Sequence, residues 1–221
     1  MIFEYRKPYR TIKEWQVYKR ETGIDNILFE EKFSIRCDFK IEKKFKRDIK
    51  GGIFGKAGQN FGLNFDKEID SLVFEFRTNT ESPEFHCVIF DQINSEVVSK
   101  GVNMTITKDK NTFKFYLKNK IIKVYRFKND FIDEYWDTPF FFGALNPGAT
   151  DRNDRCYCQV RINLFTIIKN EVDIKILNDI RPEDPNTMCY YDFMDYNIRR
   201  DIYDKSNNFN FIELVPKEFI K

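Results

Sequence analysis

The sequence predicts an all-β protein, folded as a two-sheet antiparallel sandwich, on three observations. There are 24 Phe and 11 Tyr among the 221 residues, and aromatic side chains fill half-buried pleated surfaces well. Short strand-like segments recur between turn signals, a spacing typical of sandwiches and barrels. No segment keeps the helical spacing of apolar residues for more than about 10 residues.

The clearest strand covers residues 33–41. Its apolar residues alternate with polar ones, and the apolar set is Phe33, Ile35, Cys37, Phe39 and Ile41. The polar set is Ser34, Arg36, Asp38 and Lys40. This alternation predicts a strand with one face on a core.

A glycine-rich stretch follows at residues 51–65. It contains neither a helix-opening G-x-G-x-x-G motif nor a phosphate-binding Gly-Lys-Ser/Thr motif, so it does not indicate a nucleotide site. We interpret it as two short strands around a turn that glycine permits. Residues 72–77 and 85–90 predict two further strands.

Residues 103–154 form a succession of strands and turns. The predicted strands are 104–107, 112–117, 121–125 and a segment within 140–148, separated by the polar turns 108–111 and 118–120. Alternation resumes at residues 156–168, where it predicts that Cys158, Val160, Ile162 and Leu164 share one face.

Several of these segments resemble laminin-G-like domains of the concanavalin A-like superfamily. The resemblance covers roughly residues 25–170 and rests on Phe33–Phe39, Ile53-Phe54-Gly55-Lys56, the middle strands and Phe142-Gly143-Ala144-Leu145-Asn146-Pro147. It implies a jelly roll with a C-terminal appendage. We therefore expect an N-terminal extension or first strand at 1–24, the jelly roll at 25–175, and an appendage at 176–221 that either closes the sandwich or begins a second module.

Composition limits the classes of partner and compartment. The net charge is +2, from 37 basic and 35 acidic residues that are interspersed, so we expect no nucleic-acid partner. No apolar run approaches the roughly 20 residues of a membrane-spanning helix, so we expect no membrane insertion. The N-terminus lacks the apolar region of a signal peptide, and five cysteines do not indicate a disulfide framework. We expect a cytoplasmic or virion location.

Three groups of residues contain the residue types of catalytic or metal sites. Glu68, Asp70 and Glu75 depart from the Glu-x-Asp-x-(x)-Glu pattern of laminarinase-like hydrolases, so we interpret them as a solvated turn and strand edge. His86 is the single histidine, and we expect an ordinary hydrogen-bonded strand histidine. Cys156 and Cys158 lack a second ligand pair for zinc, so we expect buried thiols.

The polar loop at residues 146–154 is the predicted site. Oxygen ligands in one loop suit Ca²⁺, and Asp151, Asn153 and Asp154 are the candidate ligands, although an ordinary turn explains the same residues. Neighbouring aromatic and polar residues suit sugar rings and their hydroxyls. The full predicted binding set is Asn146, Asp151, Asn153, Asp154, Trp136, Arg155, Tyr157 and Arg161.

The sequence leads to three hypotheses of function. The first is a non-catalytic module that recognises glycan or a protein partner, in a bacterial surface-polysaccharide system or a phage virion. A polysaccharide hydrolase or lyase on the same fold is the alternative. The third is a purely structural assembly protein, either a homo-oligomer or part of a larger assembly.

Overall fold

A computed structural model describes residues 14–18, 31–41, 50–56, 61–78, 84–128, 140–145, 156–157, 160–174, 179–192, 202–203, 205–206 and 211–216. In chain order, its elements are β1 (Glu14–Tyr18), β2 (Lys32–Ile41), β3 (Lys50–Lys56), β4 (Phe61–Asp66), β5 (Ser71–Thr78), β6 (Glu84–Phe90), α1 (Ser95–Lys100), β7 (Val102–Asp109), β8 (Thr112–Leu117), β9 (Lys120–Arg126), β10 (Phe140–Phe142), β11 (Ala144–Leu145), β12 (Cys156–Tyr157), β13 (Val160–Ile168), β14 (Thr187–Asp192), β15 (Ile202–Tyr203) and β16 (Phe211–Pro216).

The strands form two large antiparallel sheets and one small one. The eight-stranded sheet has the order β15-β16-β1-β10-β3-β4-β5-β6, and the six-stranded sheet has the order β14-β13-β2-β7-β8-β9. Strands β11 and β12 form a separate two-stranded sheet. The predicted all-β, two-sheet antiparallel sandwich is confirmed.

Aromatic side chains from both large sheets fill the space between them. Phe74 of β5 lies with its ring centroid 5.2 Å from that of Phe113 of β8, and Phe54 of β3 lies 5.2 Å from Phe165 of β13. All four side chains are fully buried. Most of these contacts are edge-to-face, the arrangement that the ring quadrupole favours. The excess of Phe therefore forms the core of the sandwich.

The short helix α1 carries the chain from the eight-stranded sheet to the six-stranded one. Asn94 caps it, since its side-chain oxygen accepts a hydrogen bond of 3.1 Å from the backbone N–H of Val97. Val98 is its buried residue and belongs to the core cluster. The helix thus links β6 to β7 while closing one part of the core.

Two predicted details require correction. Leu164 does not share a face with Val160 and Ile162, because a register shift between Ile162 and Leu164 reverses the alternation of β13. Phe165 therefore enters the core and Leu164 lies on the outer face, opposite Asp38. The turn predicted at 108–111 is also shorter, since β7 continues to Asp109.

The C-terminal strands pair within the two large sheets. β14 is antiparallel to β13 in the six-stranded sheet, and β16 is antiparallel to both β15 and β1 in the eight-stranded sheet. The domain boundary near residue 175 stays a prediction. No helix in the part of the chain that the structure describes is long and apolar enough to cross a bilayer.

Candidate functional site

Most of the predicted binding set falls outside the described residues. This applies to Asn146, Asp151, Asn153, Asp154, Trp136 and Arg155, and hence to all three candidate calcium ligands. The flanking strands are described: Ala144 pairs with Tyr157 and Leu145 with Cys156. Both of these short strands lie against β3. The calcium site stays a prediction.

Arg161 is the predicted site residue whose side chain the structure describes. It lies on β13 opposite Lys40 of β2, on the face of the six-stranded sheet that points away from the core, and it is half-buried. Its neighbours Val160 and Ile162 point inward and are buried. The one predicted binding residue with a described side chain therefore lies on the outer face of this sheet.

On that face, three neighbouring central strands bring polar side chains together, which we call the polar platform. Its members are Arg36, Asp38, Asn103, Thr105 and Tyr116. The platform forms because each strand places alternate residues on opposite faces, and the residues between these five are core residues such as Cys37 and Met104.

The register arranges the platform in two rows. Arg36 of β2 lies opposite Thr105 of β7, which lies opposite Tyr116 of β8. In the next row, Asp38 lies opposite Asn103. Neighbouring strands are about 4.8 Å apart, so the first row spans roughly 10 Å, a length comparable to one or two sugar rings.

An ion pair lies within the platform. Arg36 Nη2 donates to Asp38 Oδ2 over 3.2 Å, and Arg36 Nε donates to Asp38 Oδ1 over 3.5 Å. The side chains remain 14% and 23% exposed, so the pair reaches solvent at its outer edge. It offers donors and acceptors side by side, which matches adjacent hydroxyl groups on a ring.

A threonine beside this pair has an unused hydrogen-bonding group. Thr105 is 1% exposed, and its hydroxyl oxygen has no hydrogen-bond partner in the structure. Buried polar groups are normally hydrogen-bonded, to protein or to ordered water. The hydroxyl of Thr105 thus adds an unsatisfied polar group between Arg36 and Tyr116.

A second ion pair borders the platform on β8. Lys114 Nζ lies 2.6 Å from Glu171 Oε1, and the hydrogen bond to Glu171 raises the pKa of Lys114. Ser34 helps to hold the segment that carries Glu171, because its hydroxyl donates to the carbonyl of Asn170 and accepts from the N–H of Val172. Lys114 is therefore engaged within the chain.

The three carboxylates that were compared with the hydrolase pattern do not lie together on one strand. Glu68 and Asp70 lie in the turn before β5, where Asp70 accepts a hydrogen bond from the backbone N–H of Ser95. Glu75 lies within β5, is 1% exposed, and accepts a 2.8 Å hydrogen bond from Asn64 Nδ2. Glu68 and Asp70 are turn residues, as predicted. Glu75 departs from the predicted solvated strand edge, because it is buried in β5, which lies between β4 and β6.

His86 is a hydrogen-bonded strand histidine, as predicted. It is buried on β6, and its ring nitrogens lie 2.9 Å from Thr78 Oγ1 and 3.0 Å from Tyr125 Oη. Tyr125 belongs to β9 of the other sheet, so this contact joins the two sheets at their common edge. Burial lowers the pKa of His86, while Glu84 acts in the opposite direction.

The cysteines show no metal site in the part of the chain that is described. Cys37 and Cys189 are buried and Cys87 is exposed, and none of these three forms a disulfide. Burial raises the pKa of Cys37 well above its usual value, so it remains a thiol in the core. No group of three or more His, Cys, Asp or Glu within the described ranges is arranged to hold a metal ion. Only the backbone of Cys156 is described, and Cys158 lies outside the described residues.

Comparison with known proteins identifies the fold but not the family. No protein-family model and no curated protein matches the sequence. One similar solved structure is that of a protein from Bacteroides ovatus, which is described there as carbohydrate-binding by inference. It superposes with a TM-score of 0.61 at 10% identity, covering 92% of this chain and 60% of that one.

Toxin domains give a similar result. The binding domain of botulinum neurotoxin serotype D matches with a TM-score of 0.53 at 17% identity, over 76% of this chain and 42% of that one. The neurotoxin DC binding domain, solved with rat synaptotagmin II, matches with a TM-score of 0.51 at 18% identity, over 81% and 44%. The chain thus spans under two thirds of each of these proteins. At such identities, the likeness shows the sandwich fold alone.

The polar platform was not singled out by the sequence. Alternation in residues 33–41 does place Arg36 and Asp38 on the non-core face, so the sequence alone shows that these two side chains share a face. Nothing in the sequence shows that Asn103, Thr105 and Tyr116 lie beside them, because the pairing of β2 with β7 joins segments about 70 residues apart.

Proposed function

We propose that this chain is a non-catalytic binding module that recognises glycan through the polar platform. The main support for this proposal is that Arg36, Thr105 and Tyr116 lie opposite one another across three adjacent strands. Asp38 and Asn103 lie beside them. The laminin-G-like resemblance supports the same class of function. The fold neighbours do so too, since one is inferred to bind carbohydrate and others are toxin binding domains.

The chemistry of the platform suits a sugar. Tyr116 is half-buried, so its ring offers an apolar surface for a pyranose face and its hydroxyl a polar tip. Asp38 accepts hydrogen bonds, the Arg36 guanidinium donates them, and the amide of Asn103 does both. Strands hold these groups more rigidly than a loop would, which lowers the entropy cost of binding.

A glycan array tests this proposal with the wild type and Tyr116→Ala. We expect wild-type binding to at least one class of glycan and a loss of about tenfold or more in the variant, because removal of the ring uncovers the sugar face. Phe85→Ala is the matched control, since Phe85 is an exposed aromatic on the other sheet. Each array is run with calcium and with a chelator, which tests the loop at 146–154 separately.

Two outcomes would contradict the proposal. Absence of binding to every glycan in both conditions would remove glycan recognition and favour a protein partner or an assembly role. Equal loss in Tyr116→Ala and Phe85→Ala would show that the platform is not the site. We place the module in a bacterial surface-polysaccharide system or a phage virion, as part of the same proposal.

A further inference from the structure

Charge is segregated in one part of this nearly neutral chain. Residues 110–128 contain seven basic residues and no acidic one, whereas the whole chain has 37 basic and 35 acidic residues. The segment comprises the β8–β9 hairpin. A local excess of this size produces a positive surface that the net charge of +2 does not reveal.

Three of the seven cations have partners within the chain. Lys110 Nζ lies 3.7 Å from Glu31 Oε1, and Lys114 Nζ lies 2.6 Å from Glu171 Oε1. Lys123 donates to the backbone carbonyl of Ile89 over 2.8 Å, which bridges the edges of the two sheets. The charges of these three side chains are therefore engaged by contacts within the chain.

The other four cations form what we call the basic strip. They are Lys118, Lys120, Arg126 and Lys128, and all four are exposed. None of them makes a side-chain hydrogen bond or ion pair with any residue that the structure describes. Lys118 lies in the β8–β9 turn with positive φ, as does Asn119, a geometry typical of two-residue hairpin turns.

The strip runs along an edge and adjoins the polar platform. β9 is the outermost strand of the six-stranded sheet, and at about 3.3 Å per residue the stretch from Lys120 to Arg126 is roughly 20 Å long. Ile121 pairs with Tyr116 of the platform. Ile121 and Val124 are 55% and 47% exposed and lie between the two pairs of cations.

Protection of a free edge accounts for only part of this pattern. Lysine and bulges prevent edge-to-edge pairing of sheets, and β9 already has an inward-reaching Lys123 and a bulge opposite Phe115 and Tyr116. The same features disfavour an added peptide strand. Four further exposed cations along this edge, on both faces of β9 and at its two ends, together with the hydrogen-bonding side chains of the polar platform, favour an extended anionic chain that is rich in hydroxyl groups.

We propose that the glycan recognised by this module is an acidic polysaccharide, whose carboxylate or sulfate groups lie along the basic strip. This inference rests on the proposed function of the platform. The strip supplies charge and the platform supplies contacts to the sugar rings. About four neutralised anionic groups predict a steep dependence of affinity on salt, by analogy with counterion release from other polyanions.

The test measures binding of the full chain to polygalacturonate, dextran sulfate and neutral dextran by biolayer interferometry, at 50 and 200 mM NaCl. We expect at least one of the two acidic polymers to bind, and we expect its affinity to be roughly 50-fold lower at 200 mM than at 50 mM NaCl. The variant K118Q/K120Q/R126Q/K128Q is expected to lose at least tenfold in affinity and most of the salt dependence.

The matched control is K67Q/K100Q/K169Q/R181Q, which removes the same four charges elsewhere. It is expected to bind within about twofold of the wild type, and circular dichroism melting checks that both variants fold. Unchanged binding by the strip variant, or equal losses in the two variants, would overturn the inference.

Further arms separate the alternatives. Equal affinity for polyphosphate or single-stranded DNA would show a general polyanion surface, and binding to phosphatidylserine vesicles without polysaccharide binding would show a lipid surface; either result overturns the inference. Binding to neutral glycans alone would overturn it while leaving the proposed function intact. Binding to no glycan of any kind would overturn both.

Discussion

Phe74 lies at the centre of the aromatic core, and its removal tests the account of the fold. Its ring centroid lies 5.1 Å from that of Phe61, 5.7 Å from Phe76, 5.2 Å from Phe113 and 5.3 Å from Phe115. These rings come from both sheets, and Phe74 is fully buried. Replacement by alanine therefore opens a cavity at the sheet–sheet interface.

The expected cost in free energy of unfolding is about 4 kcal/mol, within the usual range for replacing a buried Phe by Ala. For a chain of this size, that corresponds to a fall in melting temperature of roughly 8–16 °C. Urea melts at pH 7.5 give the free energy of unfolding, and differential scanning calorimetry gives the melting temperature. A reduced slope in the urea melt would indicate a loosened native state.

The matched control is Phe85→Ala on the adjacent strand β6. Phe85 is 44% exposed, and the ring lies 6.0 Å from the guanidinium carbon of Arg77. Loss of this exposed cation–π contact is expected to cost under about 1 kcal/mol. A cost for Phe74→Ala within 1 kcal/mol of the control would refute the view that the rings of Phe74 and its neighbours hold the two sheets together.

Two further predictions concern buried polar groups. Burial lowers the pKa of His86, so its neutral form contributes stability that is present above its unfolded-state pKa, near 6.5, and is lost as the pH falls through the lower folded-state value. Urea melts at pH 7.5 and 5.5 should show a larger loss for the wild type than for His86→Gln; equal losses would contradict this reasoning. Asn64→Asp places a second carboxyl group beside Glu75, 2.8 Å from its oxygen, and should cost about 3–5 kcal/mol at pH 7. The exchange N64D/E75Q restores one donor and one acceptor and should recover part of that loss; no recovery would contradict the pairing.

Local patterns predicted most of the strands. Alternation from Phe33 to Ile41 identified β2 and its core face, because a strand with one buried face must alternate. Turn residues around 118–120 identified the β8–β9 hairpin for the same kind of local reason. The resemblance to laminin-G-like domains added the jelly-roll expectation, which stays a proposal at the level of the family.

Other features depend on contacts between distant segments. The sequence does not show that His86 and Tyr125 meet across the two sheets, or that Arg36 lies beside Thr105, since these depend on strand order. The bulge in β13 also escaped prediction, because a one-residue shift in register reverses the faces without changing the apolar content.

The sequence by itself determined the class of fold, through aromatic content and period-two alternation, which are local properties of a pleated chain. It also contained the charge segregation of residues 110–128, which can be counted directly. Only the tertiary structure decided which polar residues share a surface. Strand order and register set the neighbours of Arg36 and Tyr116, and the free energy that fixes that order comes from burying the core on the opposite face.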